Sequence, residues 1–133
     1  MDKPGKIQII SILSLINGIL NILYGIILII GFLTFGISTL GIGLIFGIIC
    51  CPLSIAPIIL GIFEIVYASK LISNPPKPVQ PAKTIAILDI VCILFGNVLS
   101  MAAGIVMLVM YNDREVLDWF EELNNPENQA YLP

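Results

Sequence analysis

Histidine is absent from the 133-residue chain, and charge is scarce, with six Lys or Arg and nine Asp or Glu. Without histidine there is no Ser-His-Asp triad, no Cys-His pair, no His-bound zinc and no His-ligated haem. The remaining nucleophiles, Cys and Ser, lack a general base unless a carboxylate serves, so the chain is not expected to be an enzyme. Cofactors and metals are not expected either. Between Ile7 and Phe63 there is no charged side chain at all. A soluble domain of this size leaves much of its surface wet and needs polar residues to cover it. With 58% hydrophobic residues, the chain reads instead as an all-α integral membrane protein.

The three cysteines, Cys50, Cys51 and Cys92, all lie in apolar sequence. They read as small packing residues rather than a disulfide framework, although the adjacent pair is open to acylation if it reaches an interface. After Met1-Asp2-Lys3-Pro4-Gly5-Lys6 the sequence turns apolar and stays so past Ile30 without a small-residue cleavage site, which suits a retained signal anchor. Motifs for myristate and for a prenyl group are missing.

A helix needs about 20 apolar residues to cross a ~30 Å hydrocarbon core. Ile7–Ile30 makes one span, and Thr84–Met110, interrupted only by Asp89, makes another. Gly31–Ile72 is too long for one crossing, roughly 60 Å as a single helix. Cys51-Pro52-Leu53-Ser54 offers a break, with Ser54 as a cap and Pro57 in a first turn. Four spans follow, at about 7–30, 33–51, 54–72 and 84–110.

The basic residues pull the other way. Lys3 and Lys6 lie at the start, and Lys70, Lys77 and Lys83 flank the loop before the last apolar stretch. Four spans place these clusters on opposite faces, against the tendency of Lys and Arg to gather in cytoplasmic loops. Three spans, with a re-entrant Gly-rich segment inside Gly31–Ile72, would gather them on one face. Exposed irregular backbone is costly in lipid, so length favours four.

Ser73–Ala82 carries four prolines in ten residues and reads as a stiff connector. The transmembrane bundle is expected to occupy residues 1–111, with an acidic interfacial helix and tail over 112–133. In that tail Asn112 and Glu115 have capping-box spacing. Val116, Phe120 and Leu123 share one face, and Trp119 beside Phe120 suits a headgroup-level anchor. From Asn112 onward one cation faces six acids, which disfavours nucleic acid as a partner.

Each span carries a small-residue stripe of the kind that lets helices associate in lipid. The packing positions are Gly18 and Gly25, then Gly43 and Gly47, then Gly61, then Gly96 and Ser100. Two acids, Glu64 and Asp89, fall on these stripes. Counted from the proline loop they lie about eight and six residues deep, roughly 12 Å and 9 Å, and so can meet at one level. Two carboxylates in a dry site cannot both ionise cheaply. Asn17, Asn21 and Asn97 are the polar candidates around them. The cluster reads either as hydrogen-bonded helix glue or as a proton or cation site.

Several segments together resemble small uncharacterised bacterial integral membrane proteins with four predicted transmembrane helices. They are Leu60-Gly61-Ile62-Phe63-Glu64-Ile65-Val66-Tyr67-Ala68, the Pro-Pro loop, Ile85-Ala86-Ile87-Leu88-Asp89-Ile90 and Val109-Met110-Tyr111-Asn112-Asp113. The resemblance covers about Lys3 to Phe120. It implies a multi-pass protein of the bacterial inner (plasma) membrane and transfers no catalytic residue. The function expected is association within the lipid bilayer, as a homo-oligomer or an accessory subunit of a membrane complex. The alternative is a proton- or cation-coupled channel or transporter using Glu64 and Asp89.

Overall fold

The computed structural model describes residues 3–39 and 42–126, with the side chains of 42, 44, 46, 47 and 49–52 outside that description. The expectations placed on Gly47, Cys50 and Cys51 lie outside the described residues. Among those described, five α-helices and one 3-10 turn form, and no strand. The helices are α1 (Gly5–Ser38), α2 (Ile42–Ile72), α3 (Lys83–Val91), α4 (Val98–Met110) and α5 (Arg114–Asn124), with the 3-10 turn at Cys92–Phe95.

Long, largely apolar stretches make α1 and α2 long, about 51 Å and 46 Å at 1.5 Å per residue. By length and composition, α1 and the Leu53–Ile72 part of α2 are each able to cross a membrane, whereas α4 is apolar but shorter. Helix α1 passes the expected end at Ile30, and α2 runs straight through Cys51-Pro52-Leu53-Ser54. Each interior proline removes one helical N–H, whereas ending a helix leaves four carbonyls without partners. Continuing the helix therefore leaves fewer backbone groups without partners, and Leu53, Ile55 and Ile59 face outward along it.

Glycines set how the two long helices meet. A Cβ on Gly18 would lie 2.8 Å from the carbonyl oxygen of Gly61, and one on Gly25 would lie 2.7 Å from that of Ser54. A Cβ on Gly43 would lie 3.0 Å from the Cα of Gly36. Every step along α1 is matched by an equal step back along α2, which defines an antiparallel hairpin in close backbone contact. Thr39 closes it, its Oγ1 accepting the Gly43 N–H at 2.8 Å.

Thr84–Met110, expected as one span, is a second and shorter hairpin. Gly96 adopts φ +81°, a conformation that ends a helix and suits glycine. Asn97 then caps α4, its side chain accepting the Ser100 N–H at 3.1 Å. Gly96 is thus a turn residue and not a packing position. Helix α4 folds back on α3, where a Cβ on Gly104 would lie 2.5 Å from the Ala86 carbonyl oxygen. The outgoing arm is about 22 Å long and the return about 20 Å. The segment that folds back on itself is therefore 83–110, whereas Ile42–Ile72 forms one continuous helix. Its tip reaches Tyr24, whose hydroxyl donates to the Phe95 carbonyl.

The N-terminus of α1, the C-terminus of α2 and both roots of the short hairpin gather at one end. Lys3 donates to the Leu71 carbonyl, and Lys83 Nζ lies 3.0 Å from Asn112 Oδ1. Helix α5 closes this end with Val116, Trp119, Phe120 and Leu123 buried on Ile7, Tyr67, Leu71 and Tyr111. The Trp119 and Phe120 rings pack edge to face, 5.2 Å apart. Both face inward and are not exposed as headgroup anchors, because the bundle end supplies the apolar surface their helix face needs. The α5 cap is Asp113, which accepts the Glu115 N–H at 3.1 Å. Asn112, expected in that role, instead donates to the Leu108 carbonyl at 3.0 Å.

Candidate functional site: a buried carboxyl and amide cluster

Four helices each bring polar side chains to the middle of the molecule. Asn17 and Asn21, one turn apart on α1, share a face. Glu64 comes from α2, Asp89 from α3 and Ser100 from the first turn of α4, with Asn97 at its cap. All are buried, and Asn21, Glu64, Asp89 and Ser100 have no exposed surface at all. The structure thus brings Glu64, Asp89, Asn17, Asn21, Asn97 and Ser100 into one cluster. Gly18, Gly25, Gly61 and Gly104 permit the close approaches around it.

The two amides grip Glu64 from both sides. Asn17 Nδ2 donates to Oε1 and Asn21 Nδ2 to Oε2, each at 2.7 Å. The same two nitrogens lie 3.1 Å and 3.3 Å from Asp89 Oδ1, and both are 3.2 Å from Ser100 Oγ. Each NH2 has two hydrogens and three acceptors within reach, so the donors are shared. Ser100 Oγ donates to Asp89 Oδ1 at 2.8 Å, and Asn97 Nδ2 donates to Asn21 Oδ1 at 2.7 Å. Ser14 closes the lower side, its Oγ 3.4 Å from the Glu64 carbonyl oxygen.

The load is uneven. Asp89 Oδ1 has three donors around it, whereas Asp89 Oδ2 is buried with no hydrogen-bond partner. The Glu64 and Asp89 carboxyl groups also lie within interaction range of each other. No basic side chain neutralises them, because Lys3, Lys6, Lys70, Lys77, Lys83 and Arg114 sit at or beyond the closed end. What faces the pair is the N-terminus of α4, whose dipole favours negative charge beside Ser100.

Among the described residues, no group of three or more His, Cys, Asp or Glu converges as a metal site would require. A groove of about 430 Å³ between α1 and α4 has Asn17 as the polar side chain in its wall, among Leu13, Leu20, Leu99 and Ala103. A second, about 270 Å³ between α2 and α3, is walled by Leu60, Phe63, Leu88 and Cys92. Sequence reasoning passed over Gly104 and the role of Ser14, though both sit in register with residues it did select. The signal for Gly104 was Ala103-Gly104, two small residues three and four positions after Ser100 and so on its helix face.

Comparison with models of protein families, with curated proteins and with solved structures finds no match to this chain.

Proposed function

We propose that this chain is a membrane-embedded protein that binds and passes a proton or a monovalent cation at Glu64 and Asp89. One observation carries the reading: the molecule is polar at its centre and apolar on its outside. Ile12, Ile16, Ile27, Ile62, Leu94 and Val109 are exposed, while Glu64 and Asp89 are completely buried. Water would reward the opposite arrangement, and hydrocarbon rewards this one. Ionisable groups held inside such a bundle are costly and accompany ion or proton movement. Support also comes from the broken 83–110 segment, since interrupted helices that end beside a polar centre are a recurring feature of ion-coupled proteins.

The bilayer is the partner this surface needs, and an inner (plasma) membrane setting rests on the resemblance noted from the sequence. In place of four spans, we read two crossing helices and a hairpin entering partway from the basic end. Purified protein in liposomes, driven by proton, sodium or potassium gradients, tests the function. Flux is expected from the wild type and is expected to be lost in the Glu64→Gln/Asp89→Asn double variant at equal incorporation. Equal flux from both proteins, or none from either, would sink the proposal.

Association with other membrane helices is a second reading, with its own support. The α3–α4 hairpin stops at Tyr24, so Ile27, Ile30, Leu33 and Ile45 on the farther half of the long hairpin remain exposed. The glycine stripes lend it less, because Gly18, Gly25 and Gly61 are occupied by contacts inside the chain.

A further inference from the structure

We propose that the cluster takes up one dehydrated alkali-metal cation in exchange for one proton, with Asp89 Oδ2 as the ligand open to it. This rests on the ion-handling function above and deepens it by naming the ion class and the stoichiometry.

Asp89 has no exposed surface, and its two oxygens are treated differently. Three donors surround Oδ1 and none reaches Oδ2. A buried carboxylate oxygen without a partner costs free energy. A proton held by one carboxyl can be shared with the other, since Glu64 and Asp89 lie within reach of each other, and a cation can satisfy the oxygen in that proton's place. The surrounding groups are hard: the Glu64 carboxyl, the Ser100 hydroxyl and the amides of Asn17 and Asn21. An amide turned half a revolution about its last bond presents Oδ1 where Nδ2 stood, so these side chains can ligate as well as donate. Oxygen ligands select hard cations over the soft metals that seek sulfur or imidazole.

Charge fixes the stoichiometry. An uncompensated charge in an apolar interior is expensive, so the pair of carboxyls tends to stay neutral with whatever it binds. Two protons make it neutral, and so do one proton and one monovalent cation. Moving between these states breaks one carboxyl O–H bond, sends that proton to solvent and forms one oxygen–cation contact. No electrons are transferred, and the net charge of the site is unchanged. A divalent ion would have to displace both protons, and it favours six or more oxygen ligands or retained waters.

The titratable groups facing the exchange come from each packed element. They are Glu64 on α2, Asp89 on α3, the Cys92 thiol on the 3-10 turn and Tyr111 just past α4, with Tyr67 beyond it. Helix α1 presents neutral Asn17 and Asn21, and α4 presents neutral Ser100.

The test is proton release from the purified full chain in weakly buffered detergent solution. NaCl and KCl are compared with choline chloride at equal ionic strength. About one proton is expected per cation bound, with apparent affinity falling up to about tenfold for each unit drop in pH. Asp89→Asn should abolish the release. If that variant does not elute as a single folded species, Ser100→Ala, which keeps both carboxyls, should weaken the apparent affinity. Release no greater with NaCl or KCl than with choline, from protein that still carries protons in liposomes, overturns the cation and leaves the proton function standing. Undiminished release from a folded Asp89→Asn variant also overturns it. Absence of both release and flux removes the parent function as well.

Discussion

Buried amides usually satisfy one neighbour each, but Asn17 and Asn21 each divide two hydrogens among three acceptors. That sharing ties α1 to α2, α3 and α4 at once, so the cluster is an organising contact as well as a candidate ion site. Interhelical hydrogen bonds in apolar surroundings are worth only about 1 kcal/mol each. Close backbone packing must therefore supply much of the cohesion, and Gly61 is the position where this is most exposed to test. A Cβ there would meet the carbonyl of Gly18 and would lie 3.1 Å from Asn21 Cβ. Gly61→Ala is expected to lower stability by about 1–3 kcal/mol, since backbone must shift to admit the methyl group. Denaturant titration of the detergent-solubilised protein measures this. No loss would mean that the two long helices do not meet at Gly18 and Gly61.

Among the elements, α5 is held in two different ways. Its apolar face is buried against Tyr67, Tyr111 and Ile7, while at its start Lys6 Nζ lies 2.8 Å from Asp113 and 3.0 Å from Glu115. The Lys6 hydrogen bond holds the Asp113 carboxyl below its usual range. For a carboxyl with a depressed folded value, the stabilising contribution is present above the ordinary value near 3.9 and fades as pH falls through the lower one. Hydrogen exchange in Arg114–Asn124 should accordingly become faster relative to α1 as pH is taken from neutral into that acid range. Lys6→Gln should remove most of the pH dependence while leaving α5 docked at neutral pH through Phe120 and Trp119. An unchanged acid response in that variant would assign the effect to other groups.

The same helix shows what sequence makes legible. Val116, Phe120 and Leu123 were readable as one apolar face because a 3.6-residue period marks it, but not what the face would cover. The second hairpin was harder still. Gly96-Asn97 is a helix stop followed by a cap, yet it stands inside an apolar run long enough for one span, and length masked it. Pro52 misled in the opposite direction, since α2 carries it through where the sequence offered a break. The meeting of Glu64 with Asp89 was legible because both could be counted from one fixed loop. The grip of Asn17 and Asn21 on Glu64 depends on the antiparallel register of α1 and α2, which the glycine spacing sets only once the pairing is known.

For the whole molecule, the proposed arrangement in the membrane would remove a conflict in the charges. All six Lys and Arg residues lie at one end or in the loop and helix joined to it, and the described far turn has none. Four spans would split these residues evenly between two faces, whereas the proposed two crossing helices with a half-depth hairpin would put them on one face, in line with the tendency of Lys and Arg to gather in cytoplasmic loops. The alternatives differ in where three points lie. With four spans the Ser73–Ala82 loop is across the membrane from the N-terminus; with three, the C-terminal helix is. With two crossings and an entering hairpin, the N-terminus, the loop and α5 share one side, and Thr39 at the far end of α1 lies opposite. Single cysteines at Gln8, Gln80, Glu121 and Thr39, in a background freed of Cys50, Cys51 and Cys92, distinguish these with a membrane-impermeant maleimide applied to oriented vesicles. The first three should label together and Thr39 from the other face. Labelling of Gln80 from the face opposite Gln8, with Thr39 unreactive inside a 33–51 span, would restore four spans and break the common end on which the docking of α5 depends.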